Sequence, residues 1–255
     1  MRGQGVSPAV PEAPNAARRL AMRGKPTGFP VMRQRWSSLL FLHWPVPVEM
    51  IAARLPRGLH VDTFDGSAWL GVVPFFMDRV RPVLLPPVPG ISWFLELNVR
   101  TYVFDDDGNP GVWFFSLDCN QPLAVEIARR AFHLPYEHAE MRAVRDGGRM
   151  DYSCRRESEE GPARFQYEKP AAAEPAGWGS LEWFLVERYL LFSADAQGNL
   201  RHGRVHHAPY RIAPARCREW SAEPMRWNGF EIPDTPPPSS LVAETVDVRV
   251  YPLSC

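Results

Sequence analysis

The chain has 255 residues, 29 Lys plus Arg against 29 Asp plus Glu, and 45% hydrophobic residues, so its formal net charge is zero. That composition excludes a wholly disordered chain, and at this length roughly 70–75% of the unfolded surface can be buried without a disulfide or metal staple. The neutral balance argues against a protein-wide field for nucleic acid, and no segment approaches the roughly 18 apolar residues of a membrane helix.

Residues 1–28 hold Arg2, Arg18, Arg19, Arg23 and Lys25 among Pro, Ala and Gly, with no apolar core. They do not read as a secretory signal but as a mobile tail, which leaves 29–255 as a single domain. Arg35–Phe41 reads as a strand and Val48–Leu55 as a short helix, started by Pro47 and stopped by Pro56. Asp65-Gly66 between His60–Phe64 and Ser67–Met77 is a hairpin signal. Residues 79–92, with Pro82, Pro86, Pro87 and Pro89, read as an extended loop or flap.

Trp93–Phe104 and Val112–Asp118 read as strands across a turn at 105–110, and Pro122–Phe132 as a helix with Arg129 and Arg130 at its C-terminal end. Three strands follow near 138–145, 149–156 and 163–169. After a linker-like loop at 171–179, Ser180 offers an N-cap to a helix over Leu181–Val186. Arg188–Ser193 and Leu200–His207 form a hairpin, and Tyr210–Trp220 reads as a strand. Residues 233–240 form a loop, and Glu244–Tyr251 alternates as a half-buried closing strand. About ten strands, mostly joined by hairpins, with three short helices define an α+β, β-dominated class: an antiparallel sheet curled into a cone or barrel.

Cys119, Cys154, Cys217 and Cys255 lie far apart with no C-x-x-C pair. Reduced thiols are the expectation, and a cytoplasmic protein with them. His202, His206 and His207 fall within six residues but match no metal-ligand spacing, so no metal is expected there. There is no G-x-S-x-G elbow, G-x-G-x-x-G or G-K-[ST] loop, so neither a serine nucleophile nor a nucleotide cofactor is expected. Glu187-Arg188, just after the short helix, reads as a structural ion pair.

The strand Trp93–Phe104 carries the most chemistry. By alternation one face holds Phe94, Glu96, Asn98, Arg100 and Tyr102, and the other is apolar. Two fates fit the polar face. It is a solvated sheet surface, or it lines a lumen where carboxylate, amide and guanidinium meet a ligand.

Five phrases then appear in order: His43-Trp44-Pro45-Val46-Pro47, Val61-Asp62-Thr63-Phe64-Asp65-Gly66, Glu96-Leu97-Asn98-Val99-Arg100-Thr101-Tyr102-Val103, Gly111-Val112-Trp113-Phe114-Phe115-Ser116-Leu117-Asp118 and Glu187-Arg188-Tyr189. Together they resemble the YqjF-like bacterial family, which has no assigned activity, across about Arg35 to Leu253. That family is distantly similar to the acetoacetate decarboxylase superfamily. The resemblance implies a curled antiparallel cone around a ligand cavity, with Glu96 as the cavity glutamate. Decarboxylases of that superfamily use a Schiff-base lysine whose pKa is lowered by a second lysine. In the segment that looks equivalent, Ala128 to Glu137, those two places hold Tyr136 and Glu137. Neither forms an imine, and the chain's only lysines are Lys25 and Lys169.

The resemblance therefore implies a protein that is not a Schiff-base decarboxylase. Its cavity would hold Glu96, Asn98, Arg100 and Tyr136 as ligand-binding residues. Three functions stay open. The first is a binder of a small carboxylate- or carbonyl-bearing molecule held by Arg100. The second is a non-Schiff-base enzyme on a keto or enol substrate, with Glu96 or Tyr136 moving a proton. The third is an interaction scaffold, homo-oligomeric or otherwise, that uses its Pro-rich loops.

Overall fold

The computed structural model describes residues 11–168, 172–231 and 234–254. Lys169, Cys255, the first residue of the 171–179 loop and the first of the 233–240 loop lie outside the described residues. In chain order the elements are α1 (Ala16–Arg23), β1 (Met32–Ser37), β2 (Leu39–Val46), α2 (Val48–Ala52), β3 (Leu59–Val61), β4 (Ala68–Pro82), β5 (Phe94–Asp105) and β6 (Pro110–Cys119). Then come α3 (Pro122–Phe132), β7 (Tyr136–Asp146), β8 (Arg149–Arg156), β9 (Ala163–Glu168), β10 (Glu174–Pro175), α4 (Leu181–Val186), β11 (Leu190–Ala194) and β12 (Leu200–His206). The last are β13 (Arg211–Pro214), β14 (Arg216–Glu219), α5 (Glu223–Trp227), β15 (Ser239–Ala243) and β16 (Val246–Val250).

The strands join in the order β10-β13-β15-β2-β4-β1-β16-β12-β11-β6-β7-β8-β9-β14, with β5 between β4 and β6 and β3 on β5. The class is α+β and β-dominated, as expected, but the curled sheet is not a barrel. Its seam is thin: β12 meets β16 through Val205↔Val250 and His206↔Arg249, and β11 meets β6 through Leu191↔Val112 and Phe192↔Trp113. At that seam Gly111 is a packing requirement. A Cβ there would stand 2.7 Å from Phe192 Cε2 and 2.8 Å from the Leu190 carbonyl. A backbone oxygen cannot rotate away, so Gly111→Ala is expected to destabilise the fold by about 1–3 kcal/mol, read as a lower urea midpoint.

Helices α3 and α4 match the sequence reading end to end. The Gln121 and Ser180 side chains accept the backbone N–H groups of Leu123 and Trp183 as N-caps. Elsewhere local pattern was overridden. Arg35–Phe41 is not one strand, because Ser38 at φ 52° breaks it. β1 then pairs with β16 and the end of β4, and β2 with β15 and the start of β4. Asp65-Gly66 does turn, at φ 48° and 77°, but it closes only the Phe64↔Ser67 bridge. β3 crosses to β5 instead, where Leu59 packs with Val103, Leu190 and Phe192. The first four residues of the expected flap are strand, since β4 runs on to Pro82 and the turn begins after it. Tyr210–Trp220 divides into β13 and β14, and the end of the 233–240 loop begins β15.

The N-terminal tail is also corrected, in part. α1 is docked: Arg19 bonds both Asp62 carboxylate oxygens at 2.6 Å, and Arg23 reaches Glu187 at 2.8 Å. Sequence alone could not supply these partners, which lie 43 and 164 residues away. Glu187 and Arg188 likewise do not pair with each other. Glu187 accepts from Arg23 and the Tyr189 hydroxyl, and Arg188 pairs with Asp62 at 2.9 Å.

Two cores lie on opposite faces of β5. Leu95, Leu97 and Val99 pack with β2, the β7–β9 hairpins, α2 and α5. Phe94 and Tyr102 face the hollow of the curl, with Phe41, Val73, Phe75, Phe184 and Val248. Burial on both faces decides the fate of the polar alternation. Glu96 and Asn98 are 3% and 5% exposed, so they are not on a solvated surface.

Candidate functional site

The hollow is a cavity of about 290 Å³ with mostly apolar walls. β5 forms one wall and sets Phe94, Glu96, Asn98 and Arg100 along it. α3 covers one side with Ala124, Ile127, Ala128 and Phe132. Of the lining residues Pro82, Ile91, Leu123 and Ile127 are exposed, and Arg100, at the far end of the β5 row from Phe94, is half-buried.

Tyr136, the first residue of β7, is carried across to β5 because β7 runs parallel to β6 there. Its hydroxyl donates to Glu96 Oε2 at 2.7 Å. Burial pushes the Glu96 carboxyl up to about 7, against the lowering effect of the Tyr136 hydrogen bond and with a smaller upward push from Asp118. Burial also holds the Tyr136 hydroxyl well above its ordinary range, reinforced by Glu96. The pair is thus a carboxyl poised to gain or lose a proton near neutrality beside a phenol that stays protonated. Tyr136→Phe removes the one contact that favours the carboxylate. The Glu96 carboxyl is then expected to titrate above 7 by its infrared C=O band. A titration that stays put would show that the hydroxyl has no hold on the acid.

Asn98 is the next residue along the same face of β5. Its Oδ1 is buried and has no hydrogen-bond partner. Arg100 follows on the same face, beside a β6 bulge that leaves Phe115 unpaired between Ser116 and Phe114. Its Nη2 donates to the Leu185 carbonyl at 3.1 Å and the Tyr102 hydroxyl at 3.3 Å, while its Nε is buried and unpartnered. The guanidinium also stands 5.3 Å from the Phe41 ring centre and 5.6 Å from that of Tyr102.

Sequence reasoning missed His43. Its Nε2 is 2.6 Å from the Tyr102 hydroxyl. Burial, then Arg100, holds the imidazole well below its usual range, so it is neutral and shares one hydrogen bond with the Tyr102 hydroxyl. A hydrogen-bonded chain therefore runs from the Leu185 carbonyl through Arg100 and Tyr102 to His43. The only signal in the sequence was the His43-Trp44-Pro45 phrase, which says nothing of the partner.

The four expected residues line one cavity, but they do not converge on a point. Glu96 and Arg100 are four residues apart on a strand, roughly 13 Å. Glu96 and Tyr136 meet near the α3 side, and Arg100 is engaged at the far end. The arrangement suits an extended, mainly apolar occupant with polar groups along one edge. A thiolate nucleophile is not on offer, because burial pushes Cys119 up to about 12. Among the described residues no group of three His, Cys, Asp or Glu side chains could hold a metal ion.

The curled sheet, its cavity and the covering helix define an acetoacetate decarboxylase-like fold. The chain is similar to an acetoacetate decarboxylase-like enzyme from Sphingomonas wittichii RW1, with a TM-score of 0.59, 12% identity, and coverage of 89% of this chain and 93% of that one. It is also similar to the enduracididine biosynthesis enzyme MppR solved with pyruvate, with a TM-score of 0.58, 10% identity, and coverage of 89% and 90%. Within that fold the chain belongs to the family DUF2071, described as an uncharacterized conserved protein, whose pattern matches residues 33–247. It is 37% identical over 229 residues to YqjF of Bacillus subtilis strain 168, itself described as uncharacterized, covering 89% of this chain and 93% of that protein.

Proposed function

We propose that this chain binds a small, largely apolar molecule bearing a carbonyl or carboxylate in the cavity beside α3, without Schiff-base chemistry. The observation that carries the reading is an orphaned buried donor, Arg100 Nε, in a cavity lined mostly by apolar side chains. Buried polar groups ordinarily have partners, and a ligand's carbonyl or carboxylate oxygen would accept from this one. No lysine is among the described residues lining the cavity. That MppR was solved with pyruvate, a keto acid, supports the ligand class. The buried free thiols of Cys119 and Cys154 support a reducing, cytoplasmic setting.

The test is a melting-temperature screen of the whole chain against straight-chain carboxylic and keto acids. Binding is expected to raise Tm for the wild type and not for Arg100→Met. A panel without any shift, or an equal shift in the variant, overturns the reading.

A second reading has its own observation, the Glu96 carboxyl poised near 7. A carboxyl so placed can act as general acid or base on an enolisable substrate. Exchange of a ketone's α-hydrogens for deuterium by NMR would detect it, with Glu96→Gln expected to abolish the exchange. The scaffold reading rests on Leu84, Leu85 and Val88, which are exposed in the turn after β4. A dimer by light scattering that is lost on Leu84→Glu would favour it.

A further inference from the structure

β1 has two faces. Met32, Gln34 and Trp36 line the cavity, and the residues between them face the other way. On that outer side lies a second recess of about 360 Å³, walled by Arg33, Arg35, Arg79, Arg81, His206 and Arg249, among others. It shares Gln34 and Arg81 with the cavity wall but is otherwise separate from it.

The pairing register makes this recess unusual. Arg33 of β1 stands directly opposite Arg81 of β4 on one side and Arg249 of β16 on the other. Arg249 in turn stands opposite His206 of β12. One row across four adjacent strands therefore carries three guanidiniums and an imidazole. The next row on the same face is neutralised: Arg35 stands between Asp78 and Asp247 and bonds the Asp247 carboxylate at 2.9 and 3.3 Å.

No carboxylate among the described residues forms an ion pair with Arg33, Arg79, Arg81 or Arg249. Asp247, the recess's one acid, is committed to Arg35. Lys25 and Arg204 add positive charge near His206, and burial together with Arg249 keeps that imidazole below its usual range. Arg79 completes the set from the left-handed backbone region, φ 53°, where the β1–β4 register slips between Arg33 and Arg35. A non-glycine residue there carries strain of the kind that clusters at functional positions.

Like charges directly opposite one another destabilise a sheet. Four guanidiniums around one carboxylate, Asp247, which is bonded to Arg35 and also feels Arg79 and Arg81, leave an excess of positive charge on a concave surface and so form an anion site. Guanidinium forks match phosphate oxygens bidentately, and multiple positive charges favour a multiply charged anion over a lone carboxylate. Three strands span roughly 10 Å, which suits two linked phosphoryl groups better than one. The recess also has the volume of a small-molecule site rather than the flat run of a polymer track. We propose that the recess between β4, β1, β16 and β12 binds a diphosphate-bearing small molecule through Arg33, Arg79, Arg81 and Arg249.

The test is calorimetric titration of the whole chain at low ionic strength with inorganic phosphate, inorganic pyrophosphate and ADP. Pyrophosphate is expected to bind about tenfold or more tightly than phosphate, and the Arg33→Gln/Arg249→Gln double variant to lose about tenfold or more of that affinity. ADP binding like pyrophosphate would assign recognition to the diphosphate alone, and tighter ADP binding would add a nucleoside to the class. Melting keeps the variant interpretable. Without anion, Arg33→Gln should melt at or above the wild type, since a repulsion has been removed. With saturating pyrophosphate only the wild type should gain. Pyrophosphate that does not bind the folded wild type overturns the proposal. So does equal binding by the double variant, or binding of single-stranded DNA that pyrophosphate cannot displace.

Discussion

Asp62→Ala is expected to destabilise the fold by about 3–5 kcal/mol, enough to bring an ordinary domain close to unfolding at room temperature. Asp62 is 1% exposed and is the carboxylate for two guanidiniums, Arg19 at 2.6 Å and Arg188 at 2.9 Å. Arg188 is almost fully buried, and its ring neighbours Phe184 and Tyr102 lie 4.4 and 5.0 Å from the guanidinium carbon. Burial pushes it down to about 10, with Asp62 the main opposing influence. Removing the carboxylate leaves this cation in an apolar setting with two nitrogens already unpartnered. Urea unfolding measures the loss. The Asp62→Leu/Arg188→Met double variant should recover much of it, because a missing pair costs less than a broken one. Arg19→Gln should be milder, freeing α1 while Arg188 keeps its partner. A single Asp62 variant as stable as the wild type would show that Arg188 finds water or another acceptor.

Glu96→Gln is expected to remove a pH dependence worth about 3 kcal/mol. The folded carboxyl sits near 7 against an ordinary value of 4.5. Between those limits the folded chain holds a proton that the unfolded chain releases, so this group's contribution falls as pH rises from about 4.5 to 7 and is level above. The buried imidazoles of His43 and His207 act in the opposite sense, because their depressed values make the folded state lose stability as pH falls below about 6.5. The informative quantity is therefore the difference between wild type and variant, in which those contributions cancel. Unfolding free energies at pH 5 and pH 8 should show Glu96→Gln gaining on the wild type with rising pH. Parallel curves would mean that the carboxyl is hydrated in the folded state.

Much of this architecture was legible locally. Where a segment's fate depends on neighbours in sequence, as with the capped helices α3 and α4 or the β7–β8 turn at Asp146-Gly147-Gly148, pattern and outcome agree. Disagreement appears where a distant strand competes for the same edge. β3 had a good turn toward β4, yet it went to β5, where its leucine is covered. β15 begins at the end of a proline-rich stretch and became a strand because β2 and β13 offered edges on either side. α1 is helical and docked because of Asp62 and Glu187, which no local reading could connect to it.

The candidate site divides the same way. Composition, motifs and alternation determined that the chain is β-rich, that it resembles a decarboxylase-like family without lysines at the expected place, and that Glu96, Asn98 and Arg100 share one strand face. Those are properties of residue identity and period-two geometry. Only the tertiary structure decided that this face turns inward, because burial of the opposite face against β2 and the β7–β9 hairpins leaves it nowhere else to point. It also decided that Tyr136 meets Glu96 across 40 residues, that Arg100 is held by Tyr102 and Leu185, and that arginines of three strands align on the outer wall. Strand register is set by the packing of the whole sheet, so no stretch of sequence carries it alone.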